Sequence, residues 1–189
     1  MKGKPLEKLS GNPPRTFPRK LVTDGWLKAF DQNGSGRLKT LTNSMRPLIQ
    51  AGDTVTIQKT TSPPLIGTGD IIAFWRGNML ITHRMVRKVR KNGMFWFMER
   101  GDRVPHTAWV KEGSVIGIVT KIHRKETIVD LRTNKKKIYG RIIGFVFCSE
   151  WLLRRCGRRI TGPFASLKPA GKHVYGVVTS LLHKLILKG

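Results

Sequence analysis

Between Leu38 and Ile122, apolar and polar residues alternate in short runs broken by turn signals, the texture of a small mixed β domain. The alternation predicts strands at Leu38–Thr42, Thr54–Lys59, Asp70–Trp75, Met79–Val89, Met94–Glu99 and Val115–Ile122. Arg76-Gly77-Asn78 and Lys91-Asn92-Gly93 fall between apolar runs and suit tight hairpins. Three of the six Asp residues follow a glycine, at Gly52-Asp53, Gly69-Asp70 and Gly101-Asp102. There glycine supplies the turn conformation and the carboxylate accepts from nearby backbone amides. Outside this region, Asp24–Phe30 predicts a short helical turn, and the stretch from Ile142 to Cys156 is mostly apolar before it turns basic. Val174, Val177, Val178, Leu181, Leu182, Leu185 and Ile186 are spaced to share one face of a helix, which would dock on the domain or lie on a membrane. The expected fold is mainly β, with a basic N-terminal arm and C-terminal helical segments. Its expected parts are a flexible basic arm at residues 1–22, rich in Pro, Lys, Arg and Gly, a β domain at 23–125 and a basic C-terminal extension at 126–189.

Composition narrows the classes. Of 189 residues, 36 are Lys or Arg and 11 are Asp or Glu, a formal charge of +25. That excess favours an anionic partner such as nucleic acid, an anionic membrane surface or an acidic peptide, and is silent about fold. Hydrophobic residues at 39%, with eight Phe and five Trp, supply a packed core and exclude a wholly disordered polycation. Two cysteines exclude a framework of several disulfides or a four-cysteine zinc site. No stretch approaches the roughly 20 apolar residues of a spanning helix. Pro5, Pro13, Pro14 and Pro18 leave the N-terminus without the apolar core of a secretory signal. Much of the charge lies toward the ends, with six Lys or Arg against Glu7 alone in residues 1–20, and 15 against Glu126, Asp130 and Glu150 from Ile122 onward.

Candidate chemistry centres on Thr42-Asn43-Ser44-Met45-Arg46-Pro47. A serine just after a strand, with a proline three residues on to prevent regular pairing, is displayed on a loop held by a rigid sheet edge. Its hydroxyl needs a positioned base to take the proton during attack. His83, inside a strongly β-patterned run, can serve as that base, and Asp102 is the nearby acid that could hold the imidazole in one tautomer. Without more, Ser44 and Asp102 also fit as turn residues and His83 as a satisfied strand histidine. Asp31-Gln32-Asn33-Gly34-Ser35-Gly36 mimics half of a calcium loop, but Thr42 stands where a bidentate Glu is needed, so it is read as a Gly-rich turn. His106, His123, Cys148 and Cys156 lack metal-ligand spacing, and the two cysteines are read as buried or inert thiols. Trp96, between Phe95 and Phe97, offers a stacking surface for nucleic acid but fits core packing better. No cofactor and no metal are expected.

Five blocks in order carry a family resemblance: Ser44-Met45-Arg46-Pro47 with Gly52-Asp53, Gly69-Asp70-Ile71-Ile72-Ala73-Phe74, His83-Arg84, Gly101-Asp102, and Val115-Ile116-Gly117-Ile118-Val119. Over about residues 38 to 122 they resemble the type I signal peptidase family of serine proteases. The His83-Arg84 pair is similar to the histidine-using endoplasmic-reticulum and archaeal branch, where signal peptidases of other branches and their LexA-type relatives use lysine. The resemblance implies a small signal peptidase/LexA-like mixed β domain with twisted, partly closed sheets, and a serine endopeptidase that removes a leader or signal peptide from a precursor protein. It implies Ser44 as nucleophile, His83 as general base, and Asp102 as orienting acid if the site is a triad and not a Ser–His dyad. Thr42 would assist the Ser44 N–H in binding the oxyanion, where losing one donor typically costs about 10²- to 10³-fold in rate. Met45 and Pro47 would shape the loop and the substrate cleft.

Without an anchor segment, the expected setting is the cytoplasm or the cytoplasmic face of a membrane, where a basic surface would attract acidic leader segments and allow peripheral contact with anionic lipid. The rival from another class is a catalytically inactive cationic protein on the same fold, binding nucleic acid or an anionic membrane surface. A self-cleaving repressor is disfavoured, because no helix-turn-helix precedes residue 38 and histidine replaces lysine.

Overall fold

The computed structural model describes residues 19–60, 62–157, 177 and 179–187. The protein is mainly β. Its elements in chain order are α1 (Arg19–Asn33), β1 (Ser35–Lys39), β2 (Thr54–Lys59), β3 (Ile71–Arg76), β4 (Met79–Lys91), β5 (Met94–Arg100), β6 (Thr107–Lys111), β7 (Val115–Arg124), β8 (Thr127–Asp130) and α2 (Asn134–Gly157). Residues 179–187 are also helical. The strands form one curled antiparallel sheet in the order β1-β2-β7-β3-β4-β5-β6, with β8 on β7.

Hairpin chemistry sets the register. Asn92 and Gly93 both take positive φ, 52° and 78°, the conformation that a two-residue turn matching strand twist requires. They join β4 to β5, pairing Lys91 with Met94 and Lys88 with Phe97. Further from the turn the register slips at a bulge between Met85 and Arg87, so Met85 faces Glu99 and Arg84 faces Arg100. Beyond a bulge, side chains exchange faces relative to the unbulged ladder.

Two apolar clusters fill the fold. In one, Ile66, Ile72, Phe74, Met85, Phe97 and Val110 pack together on β3 to β6 and the preceding loop. The larger one joins Val55, Ile71, Val86, Met98 and Ile122 of the sheet to Phe30 of α1, Val129 of β8, Ile143 and Phe147 of α2, and Ile186. The division expected at residue 125 is therefore not a packing boundary, since β8, α2 and residue 186 complete the same core. α2 is seated through Gly140 and Gly144 on the turn at Gly69. A Cβ on Gly144 would come within 2.7 Å of the Gly69 backbone nitrogen.

Other expectations change at the ends. α1 starts at Arg19, inside the stretch read as an arm, and is longer than the turn predicted over Asp24–Phe30; residues 1–18 lie outside the described residues. Trp26 and Phe30 stack at 4.9 Å between ring centroids, and they approach β1 so closely that a Cβ on Gly36 would meet both rings within 2.9 Å. Near the C-terminus, the single apolar face is divided: Leu182 and Ile186 pack on the core, whereas Val177, Leu181 and Leu185 are exposed. Val174 lies outside the described residues, as does Val178. Trp96 turns away from the cluster that holds Phe97 and lies beneath Lys111 Nζ, 5.3 Å from its ring centroid.

Candidate active site

Ser44 sits in the connection between β1 and β2, later than a strand end at Thr42 would place it, because β1 stops at Lys39. The connection closes on itself. Thr40 N–H donates to Asp53 O and Gly52 N–H to Thr40 O, each at 2.8 Å, while Ala51 N–H donates to Asn43 Oδ1 at 3.0 Å. Asp53 Oδ2 accepts from Gln50 N–H at 2.8 Å and from Arg124 Nη2 at 2.6 Å, and the same Arg124 nitrogen donates to Leu48 O. Met45, Leu48 and Ile49 are buried and anchor the loop from beneath. Met45, expected to shape a cleft, is thus a core residue. Pro47 is exposed, and the Arg46-Pro47 peptide bond is cis.

His83 lies on β4, opposite Ile72 of β3. Strand alternation sends His83 and Met85 to one face and Arg84 and Val86 to the other. The bulge puts Glu99 on the His83 face, and the Glu99 carboxylate accepts from His83 Nδ1–H. Glu99 is almost fully buried, its side chain 3% exposed against 14% for His83. Its other oxygen accepts from Arg76 Nη2 at 2.5 Å. With Nδ1 as donor, the neutral imidazole presents an acceptor at Nε2. Ser44 Oγ is 3.1 Å from that nitrogen. Thr42 Oγ1 stands 3.4 Å from Ser44 Oγ.

The loop after β5 closes the constellation. Arg103 N–H donates to Ser44 O at 2.9 Å. Gly101 passes so near that a Cβ there would sit 2.8 Å from Ser44 O and 3.1 Å from His83 Nε2. Only a residue without a side chain lets this backbone approach both groups.

Asp102 is placed elsewhere. It lies on the opposite face, where its carboxylate accepts from Arg84 Nε at 2.8 Å and Nη2 at 2.7 Å, and from His183 Nε2–H at 2.7 Å. The orienting acid expected at Asp102 is corrected to Glu99: the bulge turns Asp102 away from the imidazole. Arg84 also donates to Gly69 O at 2.8 Å. Burial alone would raise the Asp102 carboxyl, but the Arg84 charge and its hydrogen bonds, with those of His183, outweigh it and hold the pKa at about 2. This pair ties β4 to the Gly101 loop directly behind Ser44 and His83.

No family model matches this chain, and no curated protein does. Among the described residues, no group of three His, Cys, Asp or Glu side chains is placed to hold a metal ion, and no helix is long and apolar enough to cross a membrane. A cavity of about 310 Å³ lies behind the site, lined among others by Leu48, Asp70, Ile71, Arg84, Lys137 and Ile186. Burial pushes the Asp70 carboxyl above its usual range. Neither Ser44 nor His83 lines this cavity.

Proposed function

We propose that this chain is a serine endopeptidase of signal peptidase-like type, removing a leader or signal peptide from a precursor. One observation carries the proposal: Ser44 Oγ lies 3.1 Å from His83 Nε2, on an imidazole whose other nitrogen is held by the buried Glu99 carboxylate. A hydroxyl within hydrogen-bond reach of a base that a third group orients is the geometry an activated nucleophile requires.

In the proposed reaction, Ser44 Oγ attacks the scissile carbonyl carbon while its proton moves to His83 Nε2. Glu99 stabilises the resulting imidazolium without taking the proton. Negative charge develops on the former carbonyl oxygen, where the Ser44 backbone N–H and the Thr42 hydroxyl would donate to it. His83 then protonates the leaving amine as the C–N bond breaks. Water, deprotonated by the same imidazole, hydrolyses the acyl ester and restores Ser44. The excess of basic residues would draw acidic leader segments toward the site.

The test is turnover of a peptide library by the full chain and by Ser44→Ala and His83→Ala. Cleavage abolished in both variants is expected. Cleavage that persists in either variant, or absence of cleavage by the wild type, contradicts the proposal; the latter outcome together with salt-sensitive polyanion binding favours the inactive cationic binder.

Gly101→Ala supplies a separate check. The added methyl must displace Ser44 O or the imidazole, and a shift of about 1 Å in a catalytic group can cost on the order of 10²-fold in rate. A kcat/KM lower by about that factor is expected, and a wild-type value would show that the close approach at Gly101 is unimportant for turnover.

A further inference from the structure

The outer face of α2 is apolar where an ordinary surface helix is polar. Its inner face uses Gly140, Ile143, Gly144, Phe147 and Glu150, all buried. At roughly 100° per residue, Ile138, Ile142, Phe145, Leu152 and Leu153 fall on the opposite side, with exposures from 40% at Ile142 to 70% at Phe145; the one hydroxyl among them, on Ser149, donates back to Phe145 O at 3.0 Å. A helix apolar on both sides is expected to be covered on both, and a contiguous exposed apolar patch marks an interaction surface.

Charge selects the occupant. Glu150 is the sole acid in the 24 residues of α2, and it is turned inward onto Arg100 Nη1 at 2.5 Å. Lys135 and Arg141, both exposed, lie toward either side of the apolar stripe, and Arg155 is exposed near its end. A second copy of the chain would set like charges against like charges on a protein already at +25. An anionic bilayer instead takes the apolar side chains into its acyl boundary while the flanking cations meet headgroup phosphates. Since α2 is not apolar enough to cross a membrane, it would lie in the interface plane.

We infer that the outer face of α2 is a docking surface for anionic membrane lipid. This inference does not rest on the hydrolytic proposal. It is tested by flotation of the full chain with vesicles of phosphatidylcholine alone or mixed with phosphatidylglycerol, comparing the wild type with an Ile142→Ser/Phe145→Ser/Leu152→Ser variant. The three side chains are exposed, and an unchanged thermal midpoint will verify that the variant folds. The wild type is expected to float with the mixed vesicles and not with phosphatidylcholine alone, and to be released by salt. The variant is expected to bind at least about tenfold more weakly, from the apolar area it withholds.

Equal binding by both proteins would overturn the inference, because the basic segments elsewhere in the chain would then suffice. Absence of flotation would overturn it as well. A doubled molar mass in solution that reverts in the variant would assign the face to a second copy of the chain. If the variant fails to fold, Lys135→Glu/Arg141→Glu replaces it and is expected to show the same loss, with wild-type binding as the contrary result.

Discussion

Glu99→Gln is expected to lower kcat by about 10⁴-fold, the scale seen when the acid behind a catalytic imidazole is made neutral. The loss follows from the tautomer. The Glu99 carboxylate only accepts, so it fixes the proton on His83 Nδ1 and leaves Nε2 free for the Ser44 proton. A glutamine at this position can donate its amide N–H to Nδ1. The imidazole then carries its proton at Nε2, where it cannot act as base. Glu99 also holds Arg76, which is 43% exposed and can turn to water. Stability should therefore change little compared with the rate. Measuring kcat beside a urea unfolding curve separates the two, and a wild-type kcat would remove Glu99 from the mechanism.

The second large effect is on folding. Asp102→Asn should destabilise the protein by about 3–5 kcal/mol, the cost of leaving one member of a buried ion pair uncompensated. Arg84 is 1% exposed and would keep its buried charge with the Gly69 carbonyl, a weaker amide partner at position 102 and the more distant Asp70 carboxylate. The same pair sets an acid limit. The folded Asp102 carboxyl sits at about 2 against 3.8 ordinarily, so the unfolded chain binds its proton first as pH falls. The contribution is thus complete above about pH 4 and is lost as pH falls toward 2. Urea unfolding across that range should show wild-type stability declining, with Asp102→Asn lower at neutral pH and less dependent on acid. Equal stabilities at neutral pH would contradict the account of the pair.

Glu99 and Asp102 also mark where the sequence stops being legible. An unbroken ladder from the Asn92-Gly93 turn would place Asp102 directly across from His83. A Gly-Asp turn in that position is the natural choice of acid. One extra residue in β4 shifts the pairing, brings Gly101 opposite His83 and puts Glu99 on its face. The only local trace of the bulge is the adjacent apolar pair Met85-Val86 before Arg87-Lys88, a break in alternation that a strand buried on both faces shows as well. Ser44, by contrast, is legible because Pro47 and Gly52-Asp53 define its loop, and His83 because the strand around it is long. The residues that hold the loop are only half visible. Asp53 reads as a turn residue, but its partner Arg124 lies 71 residues away.

Strand existence followed alternation where the runs were long. β2, β3, β4, β5 and β7 stand where the pattern puts them, within a few residues. β6 and β8 have no counterpart among the predicted strands, because five and four residues give alternation little room and Ile128 of β8 faces solvent. The C-terminal helical content stands as expected, but the bounds of α2 are not legible in the sequence, for another reason. With apolar residues on its outer face as well as its inner one, it lacks the one-sided pattern by which a surface helix is recognised.

If Ser44 is a nucleophile activated through His83, a serine-directed electrophile will react with it and depend on the imidazole. Intact-mass and peptide-level mass spectrometry after exposure to a fluorophosphonate tests it most directly. One covalent adduct is expected, located on Ser44, and absent from both Ser44→Ala and His83→Ala. An unmodified wild-type protein, or an adduct on Ser44 that persists at wild-type rate in His83→Ala, would contradict the claim.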